Sequence, residues 1–471
     1  MKLKELFSKL NLVTEENIDI NRIVTDSRTI KENDLFIALK GSLYNGNDYI
    51  NEVINKGCKV ILSQEKQGKY IHKIKNIINF KNKITEILYN DIINETFFIA
   101  VTGTNGKTTT SYIIYKLLKD QENINVILVG TNGIYYKDVH QELDNTTPDE
   151  LIIFNFIKDN INNNLKTYVI MEVSSHSLSL NRIDHINFDI AIYLNLSHEH
   201  LDYYQTMDKY SNAKSLLFTK LKNKKIAVIN IDDNYAYKML NLSNKNICFG
   251  KNIATNKITL KESNLENLTF TIDNSEYKTK IIGNYNIYNL ASAILCLKEI
   301  GISDEIIKEK LIKLDNIEGR MEIHTYQHKN IVIDFAHTPQ AMKKALMFLR
   351  TQTSNKIITL FGCGGNRDKE KRPKMMEIAS LYSDEVYLTS DNPRFEDPLE
   401  IMKDCLMGVK NDRVHLYIDR RLAIYNALKN LNKDEYLVIL GKGHEKEQIV
   451  LDNKIRFNDL EEVEKWMKKQ V

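Results

Sequence analysis

Apolar runs of strand length alternate with helical patterns along most of the chain. Residues 96–103 (TFFIAVTG) form one such run, which ends in a glycine-containing loop, and residues 109–120 then carry apolar side chains at helical spacing. A strand, a glycine loop and a helix in this order are typical of the nucleotide-binding domains of α/β proteins. Further strand-like runs, with helical patterns between most of them, predict a largely parallel sheet. They lie at residues 124–130, 167–173, 190–196 and 226–232.

The pattern differs on either side of this central region. Residues 59–65 predict a short buried strand in an N-terminal part that alternates apolar runs with polar helical patches. Residues 268–283 alternate around positions 273–275 and predict an antiparallel hairpin at a sheet edge. After Gly319, a second series of strands and helices predicts a doubly wound unit. Its strands are expected at residues 330–336, 356–362, 385–391, 414–418 and 435–441.

The places where each strand series begins divide the chain into three expected domains of an α/β protein. A length of 471 residues agrees with this division, because a domain averages about 150 residues. We expect an N-terminal domain at 1–90, a central domain of mostly parallel sheet at 91–317, and a C-terminal Rossmann-like domain at 318–471.

Composition and charge narrow the class of protein. Basic and acidic residues number 65 and 62, and the net charge of +3 offers no footprint for nucleic acid or an anionic membrane. The 5 scattered cysteines, without a C-x-x-C pair, argue against disulfides and against a thiolate zinc site. Residues 1–11 predict an amphipathic helix instead of a signal peptide, and no apolar run approaches the roughly 20 residues of a membrane span. We therefore expect a cytoplasmic protein that is not integral to a membrane and binds no nucleic acid.

The segment TGTNGKTTT (102–110) carries the sharpest chemical signal. It joins a predicted strand to a predicted helix, where backbone N–H groups and the helix N-terminus favour a bound phosphate. In a phosphate-binding loop, Lys107 would reach the β- and γ-phosphates of ATP and the Thr108 hydroxyl would hold Mg²⁺. A full Walker A pattern has glycine where this chain has Val101, so the loop is a shortened variant. The alternative is a glycine turn with a chance Gly-Lys-Thr, and the flanking strand and helix count against it.

Polar side chains follow the next strands of the predicted sheet. Glu172 ends one strand, and His198, His200 and Asp202 follow another. Each of these alone is more often a loop or core residue, but parallel strands bring their carboxyl ends to the same edge as the phosphate loop. Lys214 leads an apolar helical patch and, on composition alone, resembles a surface lysine.

Three loops after strands of the C-terminal domain combine glycine or proline with charge. The first, at 361–373, suits an anionic ligand, although a solvated basic loop explains it equally well. In the second, at 391–398, two prolines stiffen a loop on which Arg394 could bind a carboxylate with two hydrogen bonds. In the third, at 441–445, glycines allow close backbone approach and Glu445 could accept from a ligand ammonium. The basic residues of the first loop are Arg367, Lys369, Lys371 and Arg372.

In combination and in order, these motifs resemble the Mur ligase family, and within it the ligases that add the third residue of the peptidoglycan stem peptide. The match runs from residues 25–41 (TDSRTIKENDLFIALKG) to GKGHE at 441–445 and so covers nearly the whole chain. GTNGKTT alone also fits folylpolyglutamate synthases, whereas the combination is far more specific. The combination comprises NTTPD (145–149), EVSSH, HLDY, GRME (319–322), AHTP, GCGGNRDKEKRP and DNPR.

The resemblance implies a fold and a reaction. The fold would comprise an N-terminal UDP-binding domain, a central P-loop ATPase domain and a C-terminal domain that brings the incoming amino acid. The reaction would be ATP-dependent amide formation with Mg²⁺ in the synthesis of a peptidoglycan precursor. The D-Glu carboxylate of UDP-MurNAc-L-Ala-D-Glu would attack the γ-phosphate, and the amine of a diamino acid would displace phosphate from the acyl phosphate. The partners would thus be small-molecule substrates, and the protein would act as a monomer.

The resemblance also assigns roles to residues of this chain. Lys107, Glu172, His200 and Lys214 would be catalytic, and the ligands of Mg²⁺ would be Thr108, Glu172, His200 and a carbamate formed on Lys214 from CO₂. ATP would contact Gly103, Thr104, Asn105, Gly106, Lys107, Thr108, Thr109, Asn289, Arg320 and Asp334. The UDP-MurNAc-dipeptide would contact Ser27, Asn145, Thr146, Thr147, Ser174 and Arg182, with further UDP contacts at Ser42 to Tyr44. The amino acid would contact Arg367, Asp391, Asn392, Pro393, Arg394, Gly441 and Glu445.

Alternatives remain open for the amino-acid substrate and for the class of protein. The DNPR motif resembles the type that adds meso-diaminopimelate, whose distal carboxylate would pair with Arg394 and whose distal ammonium would bind Glu445 and the Gly441 carbonyl. Meso-lanthionine presents the same two groups, whereas L-lysine would leave Arg394 unpaired at a cost of several kcal/mol. Folylpolyglutamate synthase would not explain the DSR segment or DNPR. An inactive nucleotide-binding scaffold is disfavoured because all four residues expected to be catalytic are present.

Overall fold

Three β-sheets follow one another along the chain. The structure is a computed structural model, and it describes residues 1–41, 44–161, 164–240, 242–410 and 412–469. The sheets contain 4, 11 and 6 strands, and a two-stranded hairpin lies near the C-terminus. No helix in the described ranges is long and apolar enough to cross a bilayer.

The first part of the chain builds a four-stranded, wholly parallel sheet. Its elements are α1 (Leu3–Lys9), β1 (Arg22–Val24), β2 (Asp34–Ala38), α2 (Ile50–Asn55), β3 (Val60–Ser63), β4 (Ile71–Lys73), α3 (Ile77–Leu88) and α4 (Asn90–Glu95), with short 3₁₀ turns at Ser27–Thr29 and Gly46–Tyr49. The strand order is β1-β2-β3-β4. Helix α1 and strand β3 confirm the predicted amphipathic helix and the predicted buried strand.

The central part forms the largest sheet. Its elements are β5 (Phe97–Thr102), α5 (Lys107–Leu118), β6 (Ile124–Gly130), β7 (Gly133–Tyr136), β8 (Val139–Gln141), α6 (Glu150–Asn160), β9 (Lys166–Glu172), α7 (Ser175–Ser179), β10 (Phe188–Tyr193), α8 (Leu201–Tyr204), α9 (Met207–Thr219), β11 (Leu221–Asn230), α10 (Tyr237–Leu240), β12 (Lys245–Gly250), β13 (Asn256–Ser263), β14 (Leu268–Ile272), β15 (Ser275–Thr279), α11 (Asn286–Glu299) and α12 (Asp304–Ile312). The strand order is β15-β14-β13-β12-β11-β10-β5-β9-β6-β7-β8.

The middle of this sheet is parallel and both of its ends are antiparallel. Strands β5, β6, β9, β10 and β11 confirm the predicted apolar runs, and they pair in parallel with one another. The predicted edge hairpin is confirmed as β14 and β15. The antiparallel strands β7 and β8 at the other edge were not predicted, because β8 is exposed along its length and has no apolar pattern.

The last part of the chain builds a six-stranded sheet of doubly wound type. Its elements are β16 (Glu322–Tyr326), β17 (Lys329–Asp334), α13 (Pro339–Gln352), β18 (Ile357–Phe361), α14 (Lys371–Tyr382), β19 (Glu385–Thr389), α15 (Pro398–Leu406), β20 (Val414–Tyr417), α16 (Arg420–Asn430), β21 (Tyr436–Leu440), β22 (Glu447–Val450), β23 (Asn453–Arg456) and α17 (Asp459–Lys468). The strand order is β16-β17-β21-β18-β19-β20, with β16 antiparallel and the other five parallel. All five predicted strands are confirmed.

Helix starts in these α/β layers follow from local sequence. Asp149, Thr338 and Asp419 each accept a hydrogen bond from a backbone N–H in the first turn of α6, α13 and α16. Such caps satisfy N–H groups that have no partner within the helix. Pro339 adds a fixed φ at the first position of α13.

The N-terminal sheet shares a hydrophobic core with one face of the central sheet. The shared core includes Phe7 of α1 and Phe154 of α6. Tyr89 packs against Phe154 with tilted rings whose centroids are 5.3 Å apart, and its hydroxyl accepts from the backbone N–H of Ile23 at 2.8 Å. Asn155 of α6 donates to the carbonyl of Ile23 at 2.8 Å. Strand β1 is therefore held by Tyr89 through its N–H and by α6 through its carbonyl.

A fully buried ion pair ties the last helix to the strand that leads into the GKGHE loop. Arg420 donates two hydrogen bonds to Asp459, at 2.7 and 2.8 Å, and both side chains are 0% exposed. The same guanidinium donates to the carbonyl of Leu440, the last residue of β21, at 3.1 Å. Helices α16 and α17 and the end of β21 are thus held by one cation.

We predict that Arg420→Met destabilises the C-terminal part by about 3–5 kcal/mol, because it leaves the Asp459 carboxylate buried without a partner. Trp466, the single tryptophan, lies on α17, so its fluorescence during urea unfolding reports this region. Arg456→Met is the matched control, since Arg456 is 79% exposed and pairs with Glu461 at the surface. The control should cost less than about 1 kcal/mol. Equal shifts for the two variants would contradict the prediction.

Candidate active site

A cavity of about 750 Å³ opens where the carboxyl ends of the central strands face the C-terminal sheet. Parallel strands bring their loops together at this edge, as the sequence predicted. Most residues expected to bind nucleotide or the sugar-peptide lie along its wall. They are Thr104, Asn105, Gly106, Lys107, Thr108, Thr109, Asn145, Thr146, Thr147, Glu172, Ser174, Arg182, His200, Asn289, Arg320 and Asp334, and the wall also includes Arg367.

The loop between β5 and α5 folds back on itself at Gly106. This residue has φ of 90°, and a Cβ there would lie 2.2 Å from Oδ1 of Asn289, so only glycine fits. Asn195, which lies outside the loop, helps to fix its conformation, because the backbone N–H of Asn105 donates to Oδ1 of Asn195 at 3.0 Å. Lys107 starts α5 and donates to the carbonyls of Gly103 and Thr104 at 2.9 and 3.0 Å. Burial lowers the pKa of Lys107.

Hydroxyl and carboxylate oxygens converge beside this loop. Thr108 donates to Oε2 of Glu172 at 2.9 Å, and the hydroxyl of Thr131 donates to the same oxygen at 3.2 Å. The backbone N–H of Thr131 holds Oε1 of Glu172 at 2.9 Å. Gly130 makes room for this carboxylate, since a Cβ there would lie 2.2 Å from Oε1. A set of hard oxygen donors of this kind suits Mg²⁺.

Lys214 is buried behind the phosphate loop, so its reading as a surface lysine is wrong. Its Nζ donates to the carbonyl of Gly103 at 3.0 Å and lies 4.6 Å from the centre of the Tyr210 ring. Burial, followed by repulsion from Lys107, holds the pKa of Lys214 well below its ordinary value. The site therefore favours a neutral amine at this position.

His200 lines both cavities and lies beside Tyr210 with ring centroids 5.8 Å apart, and the Tyr210 ring contacts Lys214. Its backbone has φ of 58°, which places the residue at a sharp turn before α8. The imidazole meets the ring of His176 edge-on with centroids 4.8 Å apart. Burial lowers the pKa of His200 to about 3, so its ring stays neutral at physiological pH. A neutral imidazole has a nitrogen lone pair available for a metal ion or a ligand proton.

Glu199 and His337 link the central and C-terminal parts across the cavity, and the sequence analysis did not single out either residue. Nε2 of His337 lies 3.0 Å from Oε1 of Glu199. Burial raises the pKa of Glu199, but the hydrogen bond and charge of His337 outweigh it and hold the value well below normal. The sequence signal that could have identified Glu199 is its position between two histidines in the segment after a predicted strand.

Arg320 reaches from the C-terminal part into the phosphate site. Its guanidinium donates to the hydroxyl of Thr108 at 3.1 Å and lies 4.4 Å from the centre of the Phe335 ring. Asp334 at the end of β17 is fixed by the backbone N–H groups of Met321 and Ala336, both at 2.7 Å. A carboxylate held in this way is oriented before any ligand arrives.

A second, smaller cavity of about 190 Å³ adjoins the first, and both are lined by Glu199, His200 and Arg367. Its wall brings together most of the residues expected to contact the amino acid. These are Arg367, Asp391, Asn392, Arg394, Gly441 and Glu445.

Two opposite charges face this second cavity. Arg394 is fixed through its backbone to β22, and its guanidinium donates only to the carbonyls of Gly365 and Asn392, at 3.0 and 3.3 Å. No carboxylate of the described residues comes within ion-pair distance of it, and burial, then the charge of Arg367, lowers its pKa. Glu445 accepts from the buried amine of Lys442 at 2.8 Å and from Asn392 at 3.0 Å.

Some of the residues singled out from sequence lie elsewhere. Ser27 is buried in its 3₁₀ turn and lines neither cavity, and Ser42 with Leu43 falls outside the described residues. Arg372 is not free to bind an anion, because it pairs with Asp404 and Glu396 at 2.8 and 3.0 Å.

The other residues singled out from sequence lie either on a cavity wall or away from both cavities. Asp202 lines both cavities. Gly103, Pro393 and His198 line neither, and Lys369 pairs with Glu396 at 3.5 Å. Lys371 lines the second cavity, but its amine donates to the carbonyl of His337 at 3.0 Å.

The chain matches three family models that together cover most of its length. They are described as "Mur ligase family, catalytic domain" at residues 19–92, "Mur ligase middle domain" at 101–297 and "Mur ligase, glutamate ligase domain" at 319–443. The fold and the phosphate site therefore belong to a ligase, and the chain is a member of the Mur ligase family.

Individual relatives and solved structures show which Mur ligases the chain is similar to. The chain is 37% identical to UDP-N-acetylmuramoyl-L-alanyl-D-glutamate–2,6-diaminopimelate ligase 1 of Clostridium acetobutylicum, over 99% of both chains. It is 28% identical to a solved structure of a UDP-N-acetylmuramoyl-L-alanyl-D-glutamate–2,6-diaminopimelate ligase, with a TM-score of 0.63 over 100% of this chain and 99% of the other. The MurF ligase of Thermotoga maritima, solved with ADP, shares the fold at 19% identity and a TM-score of 0.72, over 96% and 99%.

Proposed function

We propose that this Mur ligase uses ATP to join a diamino acid to UDP-N-acetylmuramoyl-L-alanyl-D-glutamate, and that meso-diaminopimelate is the amino acid. The observation that carries the proposal is the second cavity, where the unpaired guanidinium of Arg394 and the carboxylate of Glu445 adjoin the phosphate site. The distal end of meso-diaminopimelate carries one carboxylate and one ammonium, which complement this pair. The names of the full-length relatives support the same substrates.

In the proposed reaction, the D-Glu carboxylate attacks the γ-phosphorus of ATP and ADP leaves. The acyl phosphate then loses phosphate when the amine of the amino acid attacks its carbonyl carbon, and that amine releases one proton. Lys107 and Arg320 offset the charge of the two anions that must approach each other. Thr108, Glu172 and His200 would hold Mg²⁺, which when bound polarises the phosphate oxygens.

The Lys214 amine is proposed to react with CO₂, forming an N–C bond and releasing one proton to give a carbamate. A buried, neutral amine is the form that attacks CO₂, and the pKa of Lys214 is lowered accordingly. The product would be an anionic oxygen ligand beside the cation of Lys107. A lysine modified in this way could therefore bind a metal ion at this edge of the central sheet.

We also propose the division into domains at 1–90, 91–317 and 318–471, which the three separate sheets support. The first would bind UDP, the second ATP and the third the amino acid. We propose that the protein acts as a monomer in the cytoplasm. It would act on small molecules and not on nucleic acid, which agrees with these substrates. Among the alternatives, meso-lanthionine remains open because its thioether replaces only a methylene between the same end groups. The match at residues 19–92 disfavours a folylpolyglutamate synthase.

The reaction is tested by phosphate release from ATP with the UDP-dipeptide and one amino acid at a time. We expect release with meso-diaminopimelate and at least about 100-fold slower release with L-lysine, because a buried unpaired charge costs several kcal/mol. Release with meso-lanthionine, compared with release with meso-diaminopimelate, measures how far the distal carboxylate and ammonium alone determine the choice of amino acid. Release with L-lysine alone would overturn the assignment of Arg394, and silence with all three would support an inactive scaffold.

Arg394→Gln should raise KM for meso-diaminopimelate by about 100-fold, because a charged hydrogen-bonded pair contributes roughly 3 kcal/mol. KM for ATP should stay within about twofold, since Arg394 lines only the second cavity. The control is Arg456→Gln, which removes an exposed arginine from the β22–β23 hairpin. A larger effect on ATP than on the amino acid would show that the loop has been assigned wrongly.

Lys214→Ala should abolish ligation, and added formate or acetate should restore part of it by supplying a carboxylate to the vacated space. Lys214→Gln fills that space without a carboxylate and should show no such restoration. A wild-type protein incubated with isotopically labelled bicarbonate should show a carbamate signal that both variants lack. Absence of that signal, with no restoration in the folded alanine variant, would refute the carbamate.

A further inference from the structure

A histidine and two carboxylates meet between the central and C-terminal parts, outside the oxygen cluster at Thr108. His198 follows β10, whereas Asp368 and Glu370 precede α14. Nε2 of His198 lies 3.0 Å from Oδ2 of Asp368 and 3.8 Å from Oε2 of Glu370. The three side chains offer ligand atoms that all lie within 4.8 Å of one another.

The carboxylate of Asp368 is buried and only half satisfied. Its side chain is 7% exposed, and Oδ1 accepts from the backbone N–H of Glu370 at 2.9 Å. Oδ2 and the facing Nε2 of His198 are both buried, yet neither makes a hydrogen bond of acceptable geometry with any described residue. Buried polar atoms are nearly always satisfied, so two that point at each other indicate a shared partner between them.

We propose that His198, Asp368 and Glu370 bind a transition-metal dication such as Zn²⁺. Imidazole nitrogen and carboxylate oxygen are both ligands that zinc takes in proteins, with bonds of about 2.1 Å. Two ligand atoms on a tetrahedral ion are then about 3.4 Å apart; the two separations from His198, 3.0 and 3.8 Å, bracket that value, and all three ligand atoms lie within 4.8 Å of one another. Glu370 is 75% exposed, which leaves an entry path and room for water as a fourth ligand.

The position separates this site from the proposed magnesium site, which also includes an imidazole, that of His200, but is built around Thr108 and Glu172. Mg²⁺ prefers oxygen donors in octahedral geometry, whereas an imidazole favours zinc and its neighbours in the transition series. The proposal depends on neither the amino-acid substrate nor the ligase reaction. It rests only on the contact between the two loops.

An ion at this position would join two loops that line the active cavities. His198 adjoins Glu199 and His200, and Asp368 adjoins Arg367. Those neighbours line both cavities. Bound metal would therefore hold the two sides of the cavities together and raise the melting temperature of the whole chain.

The full chain is titrated with Zn²⁺ by calorimetry in excess Mg²⁺, and His200→Gln is titrated in parallel to show how much Zn²⁺ the proposed magnesium site takes. We expect one zinc site in the wild type, weakened at least about tenfold in His198→Gln and in Asp368→Asn. His415→Gln is the matched control, because His415 also faces a carboxylate, that of Glu385 at 3.4 Å, without a third ligand. This control should bind as the wild type does.

X-ray absorption of the zinc-loaded protein gives a second test. One imidazole and otherwise oxygen neighbours are expected in the wild type and in His200→Gln, which removes the imidazole of the proposed magnesium site. Two imidazoles in the wild type would place the ion at the edge-to-face pair of His176 and His200 instead and would overturn the proposal. Absence of a zinc site in the wild type, or unchanged affinity in His198→Gln, would also overturn it and leave an ordinary ion pair.

Discussion

The carbonyl oxygen of Gly103 accepts hydrogen bonds from the buried Lys214 and the half-buried Lys107, and the site is arranged around this shared contact. The amines of Lys107 and Lys214 lie 2.9 and 3.0 Å from it. Burial lowers the pKa of both amines, and the charge of Lys107 lowers that of Lys214 further. A cation such as Lys107 in a region of low dielectric constant gains most when an anion enters, so the loop is arranged to favour a bound phosphate.

The rest of the site comes from both sides of a boundary between two sheets. Arg320 of the C-terminal part donates to Thr108 of the central part, and His337 pairs with Glu199 in the same way. Neither half by itself contains all the charged residues that line the two cavities. The chemistry therefore depends on the relative position of the two sheets, which is a common condition for enzymes that exclude water by domain closure.

The sequence predicted most of the fold because buried parallel strands leave a strong signal. Strands β5, β9 and β10 are apolar along nearly their whole length, since both faces of such a sheet are covered. Strands β8 and β23 gave no such signal, because their side chains face water and backbone hydrogen bonds alone define them. Residues of the phosphate loop were found because their motif is local.

The sequence by itself determined the order of strands and helices, the phosphate loop and the family of the chain, since these depend on residues near one another. Only the tertiary structure decided which charged residues are free. Arg372, in the first turn of α14, and Arg394 both lie in sequence segments that combine glycine or proline with charge, yet Arg372 is paired with Asp404 and Glu396 while Arg394 faces a cavity without a carboxylate partner among the described residues. Lys214 reads as a surface lysine but is buried against Gly103, more than 100 positions away. Burial and pairing arise from contacts between residues far apart in the chain, which no local pattern encodes.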